Sequence, residues 1–168
     1  FLKNNAKKGG FKLAISEQLL EDVVFNLMKF ASIELPQDVV NSLKKAQAKE
    51  DSPVAKGQLE AILKSVQISH DKQIGLCQDT GVPIIYADLG SNCKVEGDPN
   101  AAMTRAVVRA TKDVPLRQNV INPLTKANSG TNTGWGIPYF QWDVVGDKDY
   151  LEVMAVPKGF GSEMRGSQ

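Results

Sequence analysis

The chain is poor in the residues that usually announce a function. It has one histidine and two cysteines, and its 20 basic and 19 acidic side chains leave a formal net charge of +1. That balance removes the electrostatic footprint of a nucleic-acid binder or of a protein held on an anionic membrane. No apolar run nears the ~20 residues that cross a bilayer. Two cysteines make no disulfide framework, and a reducing, cytoplasmic setting is expected rather than a bridge between Cys77 and Cys93. So few cysteines and histidines cannot build a self-contained metal site. His70, at the end of a helical stretch, reads as a cation capping that end. Repeats and low-complexity tracts are absent. Phe1 to Gly10 is basic and polar with no apolar stretch behind it, so no signal peptide is expected. Residues 1–15 read as a lead-in or cloning remnant, 16–163 as one truncated domain, and Met164–Gln168 as a vector-derived tail.

What is present is an ordinary globular composition, 42% hydrophobic and 23% charged over 168 residues, enough for one buried core. From Ser16 to Ser32, Leu19, Leu20, Val23, Val24, Leu27, Met28 and Ala31 recur at helical spacing, with Ser16 as N-cap. Pro36 opens a second helix carrying Val39, Val40, Leu43 and Ala46. Asp51-Ser52-Pro53 breaks the pattern and starts a third helix, from about Val54 to Ser69. The character then changes. Val82 to Leu89 is β-rich, with Pro83 marking its N-terminal end or a sheet edge. Asn100 to Lys112 returns to helical spacing, Val114 to Trp135 is a long loop, and Ile137–Val145 and Tyr150–Val156 read as two strands of a hairpin turning at Gly146–Asp149. The expected class is α+β: an N-terminal helical layer followed by a small antiparallel sheet with one intervening helix.

Four stretches gather chemistry at element ends. In Leu76-Cys77-Gln78-Asp79-Thr80-Gly81 a thiol, an amide, a carboxylate and a hydroxyl lie between apolar segments, where polar groups need partners that a ligand or metal can supply. The plainer alternative for Cys77 is a buried apolar side chain. Arg117 offers a fork suited to a carboxylate, or else a solvated surface charge. In Asn128-Ser129-Gly130-Thr131-Asn132-Thr133-Gly134-Trp135-Gly136 the glycines permit close backbone approach and the Ser, Thr and Asn groups can donate to an anion, or the stretch is simply a turn-rich loop. It lacks the lysine of a P-loop and precedes a strand rather than a helix, so neither nucleotide fingerprint applies. Pro157-Lys158-Gly159-Phe160-Gly161-Ser162-Glu163 ends the last strand in a glycine pair.

In this order and spacing the four stretches, with Leu35-Pro36 and Asn122-Pro123-Leu124, resemble the N-terminal part of the class I, iron–sulfur fumarate hydratases and of the alpha subunits of two-component fumarate and L-tartrate dehydratases. The resemblance covers about residues 16–163. It implies a hydro-lyase that reversibly hydrates fumarate to L-malate, or dehydrates tartrate. It further implies that Cys77 is one of three cysteine ligands of a [4Fe–4S] cluster, whose open iron acts as a Lewis acid on substrate. By the same resemblance Gln78 and Asp79 contact the substrate's carboxylate and hydroxyl side, with Asp79 catalytic, and Arg117 clamps a carboxylate. A backbone contact to substrate comes from Gly159 or Gly161. The second cysteine, Cys93, does not stand at a ligand position. The family pattern places two cluster cysteines and the proposed base beyond residue 163, in a longer alpha part and in a C-terminal domain or separate beta subunit. The implied assembly is a homodimer or an alpha–beta complex, and this chain by itself is expected to be inactive. The competing expectation is a non-catalytic module that binds a dicarboxylate or a phosphate through Arg117 and the glycine loops.

Overall fold

The computed structural model describes residues 13–114, 116–159 and 161. The expected lead-in up to residue 12 and the tail at 164–168 lie outside the described residues, as do Phe160, Ser162 and Glu163 of the glycine turn. The elements run in the order β1 (Leu13–Ile15), α1 (Glu17–Ile33), α2 (Gln37–Lys49), α3 (Pro53–Lys72), β2 (Val82–Gly90), β3 (Cys93–Val95), α4 (Pro99–Asp113), β4 (Tyr139–Val145) and β5 (Leu151–Lys158). The α+β class holds.

The helix starts are chemically local. Ser16 Oγ accepts from Leu19 N–H at 3.2 Å, and Ser52 Oγ accepts from Ala55 N–H ahead of a proline in the first turn. Asp98 does the same for α4, accepting from Ala101 N–H at 3.0 Å. Each cap satisfies a donor that the helix itself leaves without a partner.

The core lies between one face of the sheet and the α1–α4 pair. Leu20, Val24 and Met28 of α1 meet Ala102, Met103, Ala106, Val107 and Ala110 of α4, all buried. Three alanines on α4 let the two helices approach closely. Beneath them the strand register sets Phe140, Ile85 and Ala155 in one row and Trp142, Ala87 and Val153 in the next. These rows face the helices. The α2–α3 pair stands apart from this core: α2 buries no residue and α3 buries only Ser69.

The sheet corrects one expectation. The strands predicted as a hairpin, β4 and β5, do not pair, because β2 lies between them. β2 is parallel to β4 and antiparallel to β5, so the sheet is mixed rather than antiparallel. The physical reason is that β2 is the strand most deeply buried, and a doubly paired centre suits it better than an edge. The Gly146–Asp149 turn is real but arches over the end of β2. Ser91 N–H donates to Val145 O, Asn92 N–H to Lys148 O and Gly90 N–H to Tyr150 O, each at 2.9 Å. Pro83 stands at the N-terminal end of its strand, as expected. It faces Pro157, one residue ahead of the β4 ladder. Two short strands, β1 and β3, pair parallel and were not foreseen.

Outside the core, α1 and α4 are tied by ion pairs. Arg105 contacts Glu17 at 2.7 Å and Glu21 at 2.9 Å, while Arg109 contacts Asp22 at 2.8 Å and lies 4.1 Å from the centroid of the Phe25 ring. Glu17 also accepts the Asp98 N–H at 2.7 Å. Its carboxyl is held below the ordinary carboxylate range, first by that backbone donor and then by Arg105. A value lower in the folded than in the unfolded chain contributes stability above the unfolded carboxylate range, and that contribution is lost as pH falls through the folded value. Glu17→Gln is therefore expected to melt a few degrees below the parent at pH 7, with the gap closing as the pH is taken below about 4. Thermal melts at stepped pH check this.

Candidate functional site

The loop that leaves α3 is fastened to the end of α1 before it reaches Cys77. Gln73, in the left-handed region at φ 53°, closes α3, and Ile74 N–H then donates to Ser69 O at 3.2 Å. The buried Ser69 hydroxyl lies 2.8 Å from Ile33 O and 2.6 Å from Ile74 O, sharing its proton between them. Leu76 N–H donates to Ser32 O at 2.9 Å. These contacts fix the base of a turn in which Cys77 and Gln78 are exposed and Asp79 is half-buried. Gly81 N–H then donates to Lys158 O, and β2 begins.

Asp79 and Arg117, 38 residues apart in sequence, meet here. Arg117 Nη1 donates to Asp79 Oδ1 at 2.7 Å, and Gly161 N–H donates to Asp79 Oδ2 at 2.7 Å. Both glycines of the last turn crowd this carboxylate. A Cβ on Gly159 would lie 2.8 Å from Asp79 Oδ2, and one on Gly161 3.0 Å from the same atom. The Arg117 side chain is 61% exposed, and its remaining guanidinium donors have no partner among the described residues. The structure thus brings Cys77, Gln78, Asp79, Arg117, Gly159 and Gly161 to one corner, at the N-terminal end of β2 and the C-terminal end of β5.

The backbone around Arg117 is fixed from three sides. Arg117 N–H donates to Thr80 O at 2.8 Å, and Asn119 Nδ2 donates to Asp79 O at 3.0 Å. Asn132, fully buried and at φ 55°, accepts Asn119 N–H at 3.1 Å and donates to Arg117 O at 3.0 Å. Gly81 permits the close approach of these segments, because a Cβ there would run into Asn119 Oδ1 and the Arg117 carbonyl. Asn119 Oδ1 itself is buried without a hydrogen-bond partner among the described residues. From sequence Asn132 reads only as one of a loop's candidate anion donors, and Asn119 carries no assigned role; the structure spends the Asn132 amide on Asn119, Arg117 and Thr111 instead. A polar residue that bonds a distant backbone leaves no periodic signal to find.

The Asn128–Thr133 loop makes its polar groups work internally. Asn128 Nδ2 donates to Gln118 O, and Asn128 Oδ1 accepts Gly130 N–H. Ser129 Oγ donates to Thr133 O, and the Thr131 and Thr133 hydroxyls bond each other at 2.7 Å. The groups read as candidate anion donors are engaged in holding their own loop and in tying it to the 117–119 segment and α4.

The two thiols differ. Cys77 is exposed, and Cys93 is buried on β3. The Cys93 thiol is pushed up, mainly by burial and then by Asp149. The run of β2, about 26 Å at ~3.3 Å per residue, separates the two ends of the sheet. As a donor set the corner fits one vertex of an iron–sulfur cluster, with one accessible sulfur beside polar side chains. Among the described residues no group of three histidine, cysteine, aspartate or glutamate side chains is placed to hold a metal ion, so further thiolates would have to come from outside them.

The sequence that builds this sheet and corner has relatives among known proteins. The family described as Fumarate hydratase (Fumerase) matches residues 21–168. The chain belongs to that family. A Methanocaldococcus jannaschii protein provisionally named L(+)-tartrate dehydratase subunit alpha is 40% identical over 148 residues, covering 86% of this chain and 52% of that one. The L(+)-tartrate dehydratase subunit alpha of Escherichia coli strain K12 is 31% identical over 147 residues, covering 88% and 48%. Its counterpart in Shigella boydii serotype 4 matches to the same extent, 31% over 147 residues. The chain spans about half the length of the curated relatives it matches.

Two outcomes are expected for the chain itself. A thiol reagent should modify Cys77 rapidly in the native state and Cys93 only as the chain opens, so native protein should show one fast-reacting thiol and denatured protein two. Gly81→Ala should lose about 3 kcal/mol of stability in a urea titration, since the Arg117 carbonyl stands in the way as well as the Asn119 side chain, and backbone cannot swing aside.

Proposed function

We propose that the chain forms the cluster-binding and substrate-clamping corner of a [4Fe–4S] hydro-lyase acting on a small dicarboxylate, either fumarate hydrated to L-malate or tartrate dehydrated. The observation that carries the reading is the Asp79–Arg117 contact at 2.7 Å beside an exposed cysteine, in a chain of the Fumerase family. In this reading Cys77 is one of three thiolate ligands. When bound, the cluster supplies an open iron that acts as a Lewis acid on substrate oxygen.

The chain's own residues do the positioning. Arg117 spends one guanidinium donor on Asp79 and keeps the others for a substrate carboxylate. Asp79 holds Arg117 with one oxygen and the Gly161 N–H with the other. Each carboxylate oxygen carries two acceptor sites, so Asp79 retains capacity for the substrate hydroxyl. Gln78, exposed on the same turn, is available for the substrate's carboxylate side. Gly159 or Gly161 brings backbone within reach because neither carries a Cβ. Overall, water oxygen joins one alkene carbon and a proton the other. The group that moves that proton, the remaining cluster ligands and further cationic residues belong to the rest of the alpha part and to a C-terminal domain or beta subunit. This chain by itself is therefore expected to be inactive, and the working unit to be a homodimer or an alpha–beta assembly in the reducing cytoplasm.

The alternative of a stand-alone dicarboxylate or phosphate module loses support from the Asn128–Thr133 loop, whose hydroxyls are already paired. Calorimetric titration of this chain with fumarate, tartrate and phosphate is expected to show no affinity tighter than about 1 mM, an interaction of roughly 4 kcal/mol. The decisive experiment uses the intact enzyme with its remaining half, reconstituted anaerobically with iron and sulfide. Cluster absorbance and turnover of fumarate or tartrate are expected together, and Cys77→Ser should abolish both. Arg117→Ala should raise KM about 10- to 100-fold, the range for losing charge-assisted hydrogen bonds. A Cys77→Ser enzyme that keeps its cluster would sink the ligand assignment.

A further inference from the structure

We infer that Asn132 is a positioning residue that sets the Arg117 guanidinium for substrate. The inference rests on the reading of Arg117 given above and extends it to a residue that touches neither substrate nor metal. Asn132 is 0% exposed, so whatever it does is done through other groups. Its side-chain amide is completely used. Oδ1 accepts the Asn119 N–H at 3.1 Å, and Nδ2 donates to Arg117 O at 3.0 Å and to Thr111 Oγ1 at 3.3 Å. Both amide hydrogens and the carbonyl therefore have partners.

Those partners are not scattered. Arg117 O and Asn119 N–H lie two residues apart on one strand of chain, so a single amide clasps the backbone on both sides of Gln118. Thr111, the third partner, sits in the last turn of α4, where its hydroxyl also meets Val107 O at 2.9 Å and Thr131 O at 3.1 Å. The clasp thereby ties the Arg117 segment to the helix that forms half of the core. Asn119, held by its N–H, in turn donates from its side chain to Asp79 O at 3.0 Å. One buried amide thus fixes both the backbone that carries the guanidinium and the side chain that steadies its carboxylate partner.

The backbone of Asn132 adds a constraint. At φ 55° it lies in the left-handed region, where asparagine is tolerated and most other side chains are strained. Glycine keeps that conformation and deletes the clasp. Aspartate keeps the shape but offers Arg117 O an acceptor where it needs a donor.

The test uses the intact, cluster-loaded enzyme and rates normalised to iron content. Asn132→Gly and Asn132→Asp are each expected to raise KM for the dicarboxylate about 10-fold, with kcat per cluster within about threefold of the parent, since loss of binding geometry without loss of chemistry appears in KM. In an Arg117→Ala background Asn132→Gly should add nothing further to KM, because the two act through one guanidinium. Thr111→Val, which removes only the anchor on α4, should shift KM in the same direction by less and covers the case in which the Asn132 variants do not fold. A folded Asn132→Gly or Asn132→Asp enzyme with parental KM overturns the inference, as does a Thr111→Val enzyme with parental KM when neither Asn132 variant folds. So does a loss confined to the amount of cluster-loaded protein, since that is what a purely structural role produces. If Arg117→Ala itself leaves KM unchanged, the reading of the site has failed rather than the clasp.

Discussion

The constraint on which the rest of the corner depends is the contact between two backbones at Gly81. The entry to β2 and the segment 117–119 approach so closely that the place of a Cβ is taken by Asn119 Oδ1 and the Arg117 carbonyl. That proximity lets Arg117 N–H reach Thr80 O and Asn119 Nδ2 reach Asp79 O. Only then does the guanidinium meet the carboxylate at 2.7 Å. Asp79 is also hemmed in by Gly159 and Gly161. Two glycines of the last turn therefore crowd the aspartate, and a third, Gly81, admits the segment that carries its arginine partner. The ion pair between Asp79 and a mostly exposed Arg117 contributes little to stability on its own. Its value is directional: it spends one donor of the fork and leaves the others aimed by a backbone that cannot shift.

The sheet explains why this corner exists at the end of β2. A strand at the centre, paired parallel on one side and antiparallel on the other, brings its N-terminal end beside the C-terminal end of β5. The turn carrying Cys77 to Thr80 feeds into the first, and the Gly159–Gly161 turn leaves the second. The long segment after α4 supplies the third wall. Two of these walls rest on buried polar anchors: Ser32 and Ser69 behind the cysteine turn, Thr111 and Asn132 behind Arg117. Exposed chemistry is carried by loops, and the loops are held by buried polar side chains whose bonds are made inside the protein.

What the sequence made legible follows from the range of each signal. Helix starts were readable because a cap acts within three residues, as at Ser16 and Ser52. The four-helix content and the β-rich character of Val82–Leu89 were readable from periodicity. Strand neighbours were not. β4 and β5 carry a good hairpin pattern, and only the burial of β2 on both of its edges places it between them. The strands β1 and β3, three residues each, are too short for any pattern to stand out. At the site, Cys77, Gln78, Asp79 and Arg117 were found as a set because four ordered stretches together resemble one family. Asn119 and Asn132 stood in the same stretches and gave no sign of their roles, which depend on partners in other segments.

The two cysteines show how environment rather than residue type separates the roles. Cys93 lies on a short strand, buried, with its thiol pushed up by desolvation and by Asp149, so the nucleophilic and metal-binding thiolate is disfavoured there. Cys77 is placed on a turn whose backbone is tied at both ends, by Ser32 O before it and Lys158 O after it, yet whose side chain reaches solvent. In the role proposed for Cys77, as a ligand to a cluster shared with other segments, that combination is what is needed. The sulfur must be accessible to partners that arrive from elsewhere, while its Cα cannot wander, because any freedom in the turn would have to be removed when the cluster forms. The same logic applies to Arg117, whose backbone is clasped and whose guanidinium is exposed. Both side chains reach solvent from backbone held by hydrogen bonds, which is the form the proposed half-site requires.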